Sequence, residues 1–226
     1  MTLLRRLSAE AIGSFFLFAA VIGSGIMAER LAGGNVAVAL LANSIATGAI
    51  LFVLIALLAP LSGAHFNPAV SLALAVRGRL ALRELAPYIL AQLAGGMLAV
   101  LATHAMFDLP LLQWSVHART GPGQWLAEAI ATFGLVLAVF GMAGRPPAEA
   151  GGVIALYIVA AYWFAASTSF ANPAITLARS LTDSFSGIAL ADAPLFIACQ
   201  LAGALVGALA TRLLFDEPSA DDVPLG

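Results

Sequence analysis

The chain has 226 residues, is 62% hydrophobic and only 10% charged, and carries a formal net charge of -2. With a mean hydropathy of +0.99, this composition excludes an ordinary soluble domain, which is about half apolar and a quarter charged, and implies an integral membrane protein. No nucleic-acid partner is expected from so few charges, and the single cysteine, Cys199, cannot form an intrachain disulfide.

Charge-free runs follow one another along the chain at Ala11 to Ala28, Val36 to Ala59, Leu85 to Phe107, Ala129 to Gly144, Gly151 to Ala178 and Ala193 to Thr211. Most approach or exceed the ~18 to 20 residues a helix needs to cross ~30 Å of hydrocarbon, so six crossings are expected. Arg5 and Arg6 ahead of the first run could mark a cleaved leader. Retention is expected instead, because Glu10-Ala11-Ile12 in this run has a counterpart at Glu128-Ala129-Ile130. Every basic residue is an arginine. Six crossings with both termini inside put Arg5, Arg6, Arg77, Arg79, Arg83, Arg145 and Arg212 in the cytoplasm and Arg30, Arg119 and Arg179 outside, the bias expected of a cell-membrane protein. Residues 108 to 124, with Pro110, Trp114, Gly121, Pro122 and Gly123, are expected to form an external loop, and the acidic segment 216–226 a short solvated tail.

Three short matches recur in the same order: Glu10-Ala11-Ile12 with Glu128-Ala129-Ile130, Asn67-Pro68-Ala69 with Asn172-Pro173-Ala174, and Gln92-Leu93-Ala94-Gly95 with Gln200-Leu201-Ala202-Gly203. Their near-constant separations of 118, 105 and 108 residues indicate one duplicated unit, roughly 5–107 and 124–215, within a single domain covering 1–226. Each copy holds three crossings, an odd number, so the second enters the membrane from the opposite side.

In both Asn-Pro-Ala triplets the asparagine suits an N-cap and the proline the first helical position, where no amide donor is required. From Pro68 the apolar run ends at Val76, about nine residues or ~14 Å, half the hydrocarbon thickness. From Pro173 it ends at Ala178. Each triplet therefore opens a half-helix whose positive end lies near the midplane, and the non-helical residues before it can exist at that depth only if they are buried in protein or line a watery cavity. Two such ends meeting would favour neutral hydroxylated solutes and repel cations and protons.

The run Ser62-Gly63-Ala64-His65-Phe66-Asn67-Pro68-Ala69-Val70, the second Asn172-Pro173-Ala174 and the paired glutamates resemble the major intrinsic protein family, the aquaporins and aquaglyceroporins, over essentially the whole chain. The resemblance implies an all-α membrane fold of six transmembrane helices plus two re-entrant half-helices in an inverted repeat, a pore in each subunit, and a homotetramer. It also implies that Glu10 and Glu128 support the loops bearing the triplets. In most of the family an arginine directly follows the second triplet at the narrowest point of the pore, whereas here Ile175 stands there. Counting back without gaps, 20 residues before Asn67 gives Thr47, 12 before Asn172 gives Ala160, and three before it gives Ser169. The expected filter is thus Thr47, Ala160, Ser169 and Ile175, with no ring and no charge, wider than in water or glycerol channels. This arginine-free pattern is similar to a bacterial subgroup associated with arsenite.

Arg179, four residues past Ile175, either replaces the missing charge from one turn further out or faces the mouth and pairs with Asp183; the second is expected here. His65 is expected to fix the inner half-loop rather than gate the pore, and the other histidines, His104 and His117, are too scattered for a metal site. No catalytic constellation and no cofactor motif is present. The expected function is a passive channel for small uncharged solutes such as glycerol-like polyols, arsenous acid and water, excluding ions. The alternatives are a water-selective aquaporin, a glycerol facilitator, or an ion-coupled secondary transporter, which would need midplane charges to couple.

Overall fold

A computed structural model describes residues 1–215; the expected tail at 216–226 lies outside them. Among the described residues there are eight helices and no strand: α1 (Leu3–Leu31), α2 (Val36–Ser62), α3 (Pro68–Val76), α4 (Leu82–Met106), α5 (Pro122–Gly141), α6 (Pro147–Phe164), α7 (Pro173–Arg179) and α8 (Ala193–Phe215). Six of them are long and apolar enough to cross a membrane, and α3 and α7 are not. The long helices outrun the charge-free stretches at several ends, since α1 includes Arg5, Arg6 and Arg30 and α8 includes Arg212. The physical reason is that apolarity marks the hydrocarbon slab, whereas helix length is set by caps. Thr2 accepts the Arg5 amide at the start of α1, and Asn35 accepts the Val38 amide at the start of α2.

The two halves, α1–α4 and α5–α8, are built alike. In each, the first helix packs along the last, α1 on α4 and α5 on α8. The repeated motifs are the docking points. A Cβ on Gly95 would run into the carbonyl oxygen of Ala11, and a Cβ on Gly203 into that of Ala129, so in both halves a glycine of the Gln-Leu-Ala-Gly motif seats the backbone of the Glu-Ala-Ile motif. Lipid offers the same apolar surroundings as leucine, so contacts this close hold such helices together through dispersion rather than through expulsion of water. α2 and α6 pack on each other across the pseudo-two-fold, while each half-helix lies against the last helix of both halves.

Candidate functional site: a conduit across the midplane

The non-helical segments that precede α3 and α7 are matched residue for residue. Gly63, Ala64 and Phe66 have φ of 93°, 53° and 48°, and their counterparts Thr168, Ser169 and Ala171 have 64°, 52° and 46°. Five of these six are not glycine, and each left-handed residue costs of order 1 kcal/mol or more, so the surroundings must hold the loops in place. Two buried carboxylates do so. Glu10 accepts hydrogen bonds from the amides of His65 (3.0 Å) and Phe66 (2.8 Å), from the Ser62 hydroxyl (2.6 Å) and from Gln92 Nε2 (2.8 Å). Glu128 accepts from the amides of Phe170 and Ala171, both at 2.9 Å, and from Gln200 Nε2 at 2.6 Å. Each glutamine also donates to the hydroxyl on the adjoining half-helix, Gln92 to Ser71 and Gln200 to Thr176. His65 joins the first of these networks, its Nδ1 lying 3.0 Å from the Ser71 hydroxyl, and it also borders the conduit.

The triplets meet at the centre. Asn67 Oδ1 accepts the amide of Ala69 at 2.9 Å, and Asn172 Oδ1 accepts those of Ala174 (3.0 Å) and Ile175 (3.3 Å), with Pro68 and Pro173 opening the two half-helices. The amide nitrogens cross over. Asn67 Nδ2 donates to the Ala171 carbonyl at 2.7 Å and Asn172 Nδ2 to the Phe66 carbonyl at 2.9 Å. Both carboxamide oxygens are therefore occupied by helix caps and one hydrogen on each nitrogen by the opposite loop, so the remaining hydrogen of each asparagine is the polar group offered to a solute.

A cavity of about 510 Å³ passes these two asparagines. On the face where α1 begins it is bordered by Arg6, Arg79 and Arg145; on the opposite face by Thr47, Tyr162, Ser169 and Arg179. Its lining combines the apolar Leu51, Ile55, Val70, Leu135, Ile158 and Ile175 with residues 63–66 and 169–170 of the two non-helical segments. A lining of this mixed kind matches the chemistry of a molecule that carries hydroxyls on a carbon skeleton.

Of the expected filter residues, Thr47, Ser169 and Ile175 border the conduit, but Ala160 does not. It is exposed on the outer face of α6. The gap-free count fails by helical phase: Ile154, Ile158 and Tyr162, four apart, form the conduit face of α6, and position 160 is half a turn away from it. The expected absence of any ring or charge is corrected with it. Tyr162 borders the conduit and hydrogen-bonds Thr47 of the neighbouring α2 at 3.1 Å, and Arg179 brings a guanidinium. Arg179 is only 2% exposed. The expected pairing with Asp183 is not seen among the described residues, because α7 ends at Arg179 and position 183 leaves the helical register; Asp183 accepts the Val116 amide at 3.0 Å and lies 3.9 Å from His117. The signal that could have found Tyr162 was the four-residue spacing of large residues in α6.

The loop before α5 closes the outer side. Ser115 donates to the Ser180 carbonyl, Ala189 to that of His117, and the Arg119 amide to Asp192. The Arg119 side chain reaches the carbonyls of Gly187, Ser167 and Phe185 at 2.7, 3.4 and 3.3 Å. Burial draws this guanidinium below its ordinary range. His104 is buried between the Leu111 carbonyl and the Thr182 hydroxyl, a fixed bracing role. No group of metal-ligating side chains occurs among the described residues.

A family model described as "Major intrinsic protein" matches residues 1–168. The chain is 53% identical over 212 residues to aquaglyceroporin AqpS of Rhizobium meliloti, covering 94% of this chain and 91% of that protein. It is 29% identical to aquaporin Z of Rhodopseudomonas palustris, covering 93% of each. The structure resembles that of the aquaglyceroporin from Plasmodium falciparum with a TM-score of 0.72 at 21% identity, over 93% of this chain and 96% of that one, a likeness of fold.

Proposed function

Starting from the fact that this chain belongs to the major intrinsic protein family, and is therefore a passive membrane channel for small solutes and not an enzyme, we propose that its conduit carries uncharged hydroxylated molecules larger than water. Glycerol-like polyols, arsenous acid and water pass; ions and protons do not. The observation that carries this reading is the crossed pair Asn67–Ala171 and Asn172–Phe66, which leaves amide donors alone at the centre of an otherwise half-apolar passage. A donor-only centre flanked by two helix amino ends favours a solute oxygen and disfavours a cation.

Asn67, Pro68, Ala69, Asn172, Pro173 and Ala174 are proposed as the pore centre, and Glu10 and Glu128 as supports that hold the two strained loops. Thr47, Tyr162, Ser169 and Ile175 are proposed as the outer constriction. The chain forms one channel domain, with halves 5–107 and 124–215. We place it as a homotetramer in the bacterial inner membrane with both termini cytoplasmic, a reading supported by the seven arginines on the side where α1 begins against three on the other. Stopped-flow light scattering on vesicles containing the purified protein tests the solute reading. Glycerol and arsenous acid are expected to cross at well above the rate of empty vesicles; a protein that speeds water alone would instead be the water-selective alternative.

A further inference from the structure

We infer that Arg179, and not the position next to the second triplet, supplies the cationic element of the outer constriction. This inference rests on the channel reading above. Ile175 and Arg179 are one turn apart on α7 and both border the conduit, so the charge that Ile175 lacks is regained one turn further toward the mouth. Arg179 is a built feature and not a loose surface side chain. Its Nε donates to the Ser186 carbonyl, and its guanidinium carbon sits 3.3 Å from the centroid of the Phe170 ring. Arg119 also belongs to the assembly: its guanidinium lies 5.2 Å from the same ring and is tied to three carbonyls. Phe170 in turn belongs to the loop that Glu128 holds. The head group is thus fixed by the same loop that shapes the pore centre.

No carboxylate lies within ion-pair distance of that head group among the described residues. Its hydrogen bond to protein among the described residues is that from Nε to the Ser186 carbonyl. Ser169 borders the conduit too, and its hydroxyl is buried, 3% exposed, without a hydrogen-bond partner among the described residues. The Thr47–Tyr162 hydroxyl pair borders the same outer part of the conduit. A guanidinium donates only, whereas a hydroxyl donates or accepts. The ligand that suits this set is a neutral molecule presenting an oxygen acceptor to Arg179 and a hydroxyl to the Thr47–Tyr162 pair. An inorganic or organic cation is repelled, and a solute with fewer hydroxyls leaves buried polar groups unmet.

The test uses the full-length protein in vesicles, as the parent and as Arg179→Met and Arg179→Lys. Sodium and proton leak, water permeability, and the ratio of glycerol to propane-1,2-diol permeability are measured on each. Arg179→Met is expected to raise the cation leak by about tenfold or more, since a near, poorly screened charge is removed. It should also lower the glycerol-to-diol ratio by about threefold, as an acceptor loses its donor. Arg179→Lys keeps the charge and is expected to keep the leak low while its diol ratio falls, and retained water permeability reports that either variant is folded. A water-conducting Arg179→Met with the parent's leak overturns the barrier role, and an unchanged diol ratio overturns the recognition role. If Arg179→Met fails to fold, a leaky Arg179→Lys overturns the barrier role by itself. A parent that passes no solute would overturn the channel reading, a separate result from a conducting parent whose variants are indifferent.

Discussion

At the scale of single residues, the conduit depends on buried polar atoms having definite partners. Glu128 accepts two loop amides and a glutamine. In Glu128→Gln one acceptor becomes a donor facing another donor, and removing a buried charged acceptor in this way costs about 2 to 4 kcal/mol. A clearly lowered melting temperature of the detergent-solubilised variant checks it, and a melting curve equal to the parent's would argue against the supporting role. Ile175→Arg places a second guanidinium one turn from Arg179, so glycerol flux is expected to fall by about tenfold or more from crowding and repulsion, with a smaller loss of water flux. Equal loss of both in stopped-flow measurements would contradict the constriction drawn here. The triplets were legible in the sequence because capping is local chemistry, readable from Asn, Pro and the apolar run that follows. Tyr162 was not, since its place depends on the rotational phase of α6, which a gap-free count ignores. The position of Arg179 was legible as one turn past Ile175, but its burial was not. That follows from Phe170 and Ser186, which are brought to it by a loop and a carboxylate far apart in the chain.

At the scale of elements, the structure turns on two close helix pairs and two half-helices. Gly95 and Gly203 admit the Ala11 and Ala129 carbonyls, and a backbone carbonyl cannot step aside as a side-chain tip can. Gly95→Val and Gly203→Val are therefore each expected to lose about 3 kcal/mol or more by forcing the helices apart. Thermal unfolding and recovery of the folded protein in detergent check this. Gly123→Ala, where a Cβ meets nothing within 4 Å, is the matched control and should leave both unchanged. The half-helix α3 was legible to its last residue, Val76, because proline starts it and Arg77 ends its apolar run. The ends of α1 and α8 were not, because hydropathy reports where the lipid core stops and not where the backbone hydrogen bonds do. The external link was expected from its Pro and Gly content, yet its hold on the α7–α8 connection comes from pairings such as Ser115 with Ser180 that have no local signature.

At the scale of the whole molecule, duplication explains why one site needs two halves. Each half alone presents an asparagine with an unused amide and a strained loop carbonyl, and only the opposite half supplies the matching partner. The inverted repeat was legible because its three motifs are those under the tightest geometric demands: carboxylate, cap and glycine seat. The central claim is that this arrangement makes an open, uncoupled passage for neutral solutes. Its most direct measurement is glycerol entry into vesicles over a wide concentration range, with an imposed proton gradient and membrane potential recorded together. Entry is expected to rise linearly with concentration, to be indifferent to the gradient and to carry no current. Entry that saturates, accelerates with the proton gradient or moves charge would contradict it.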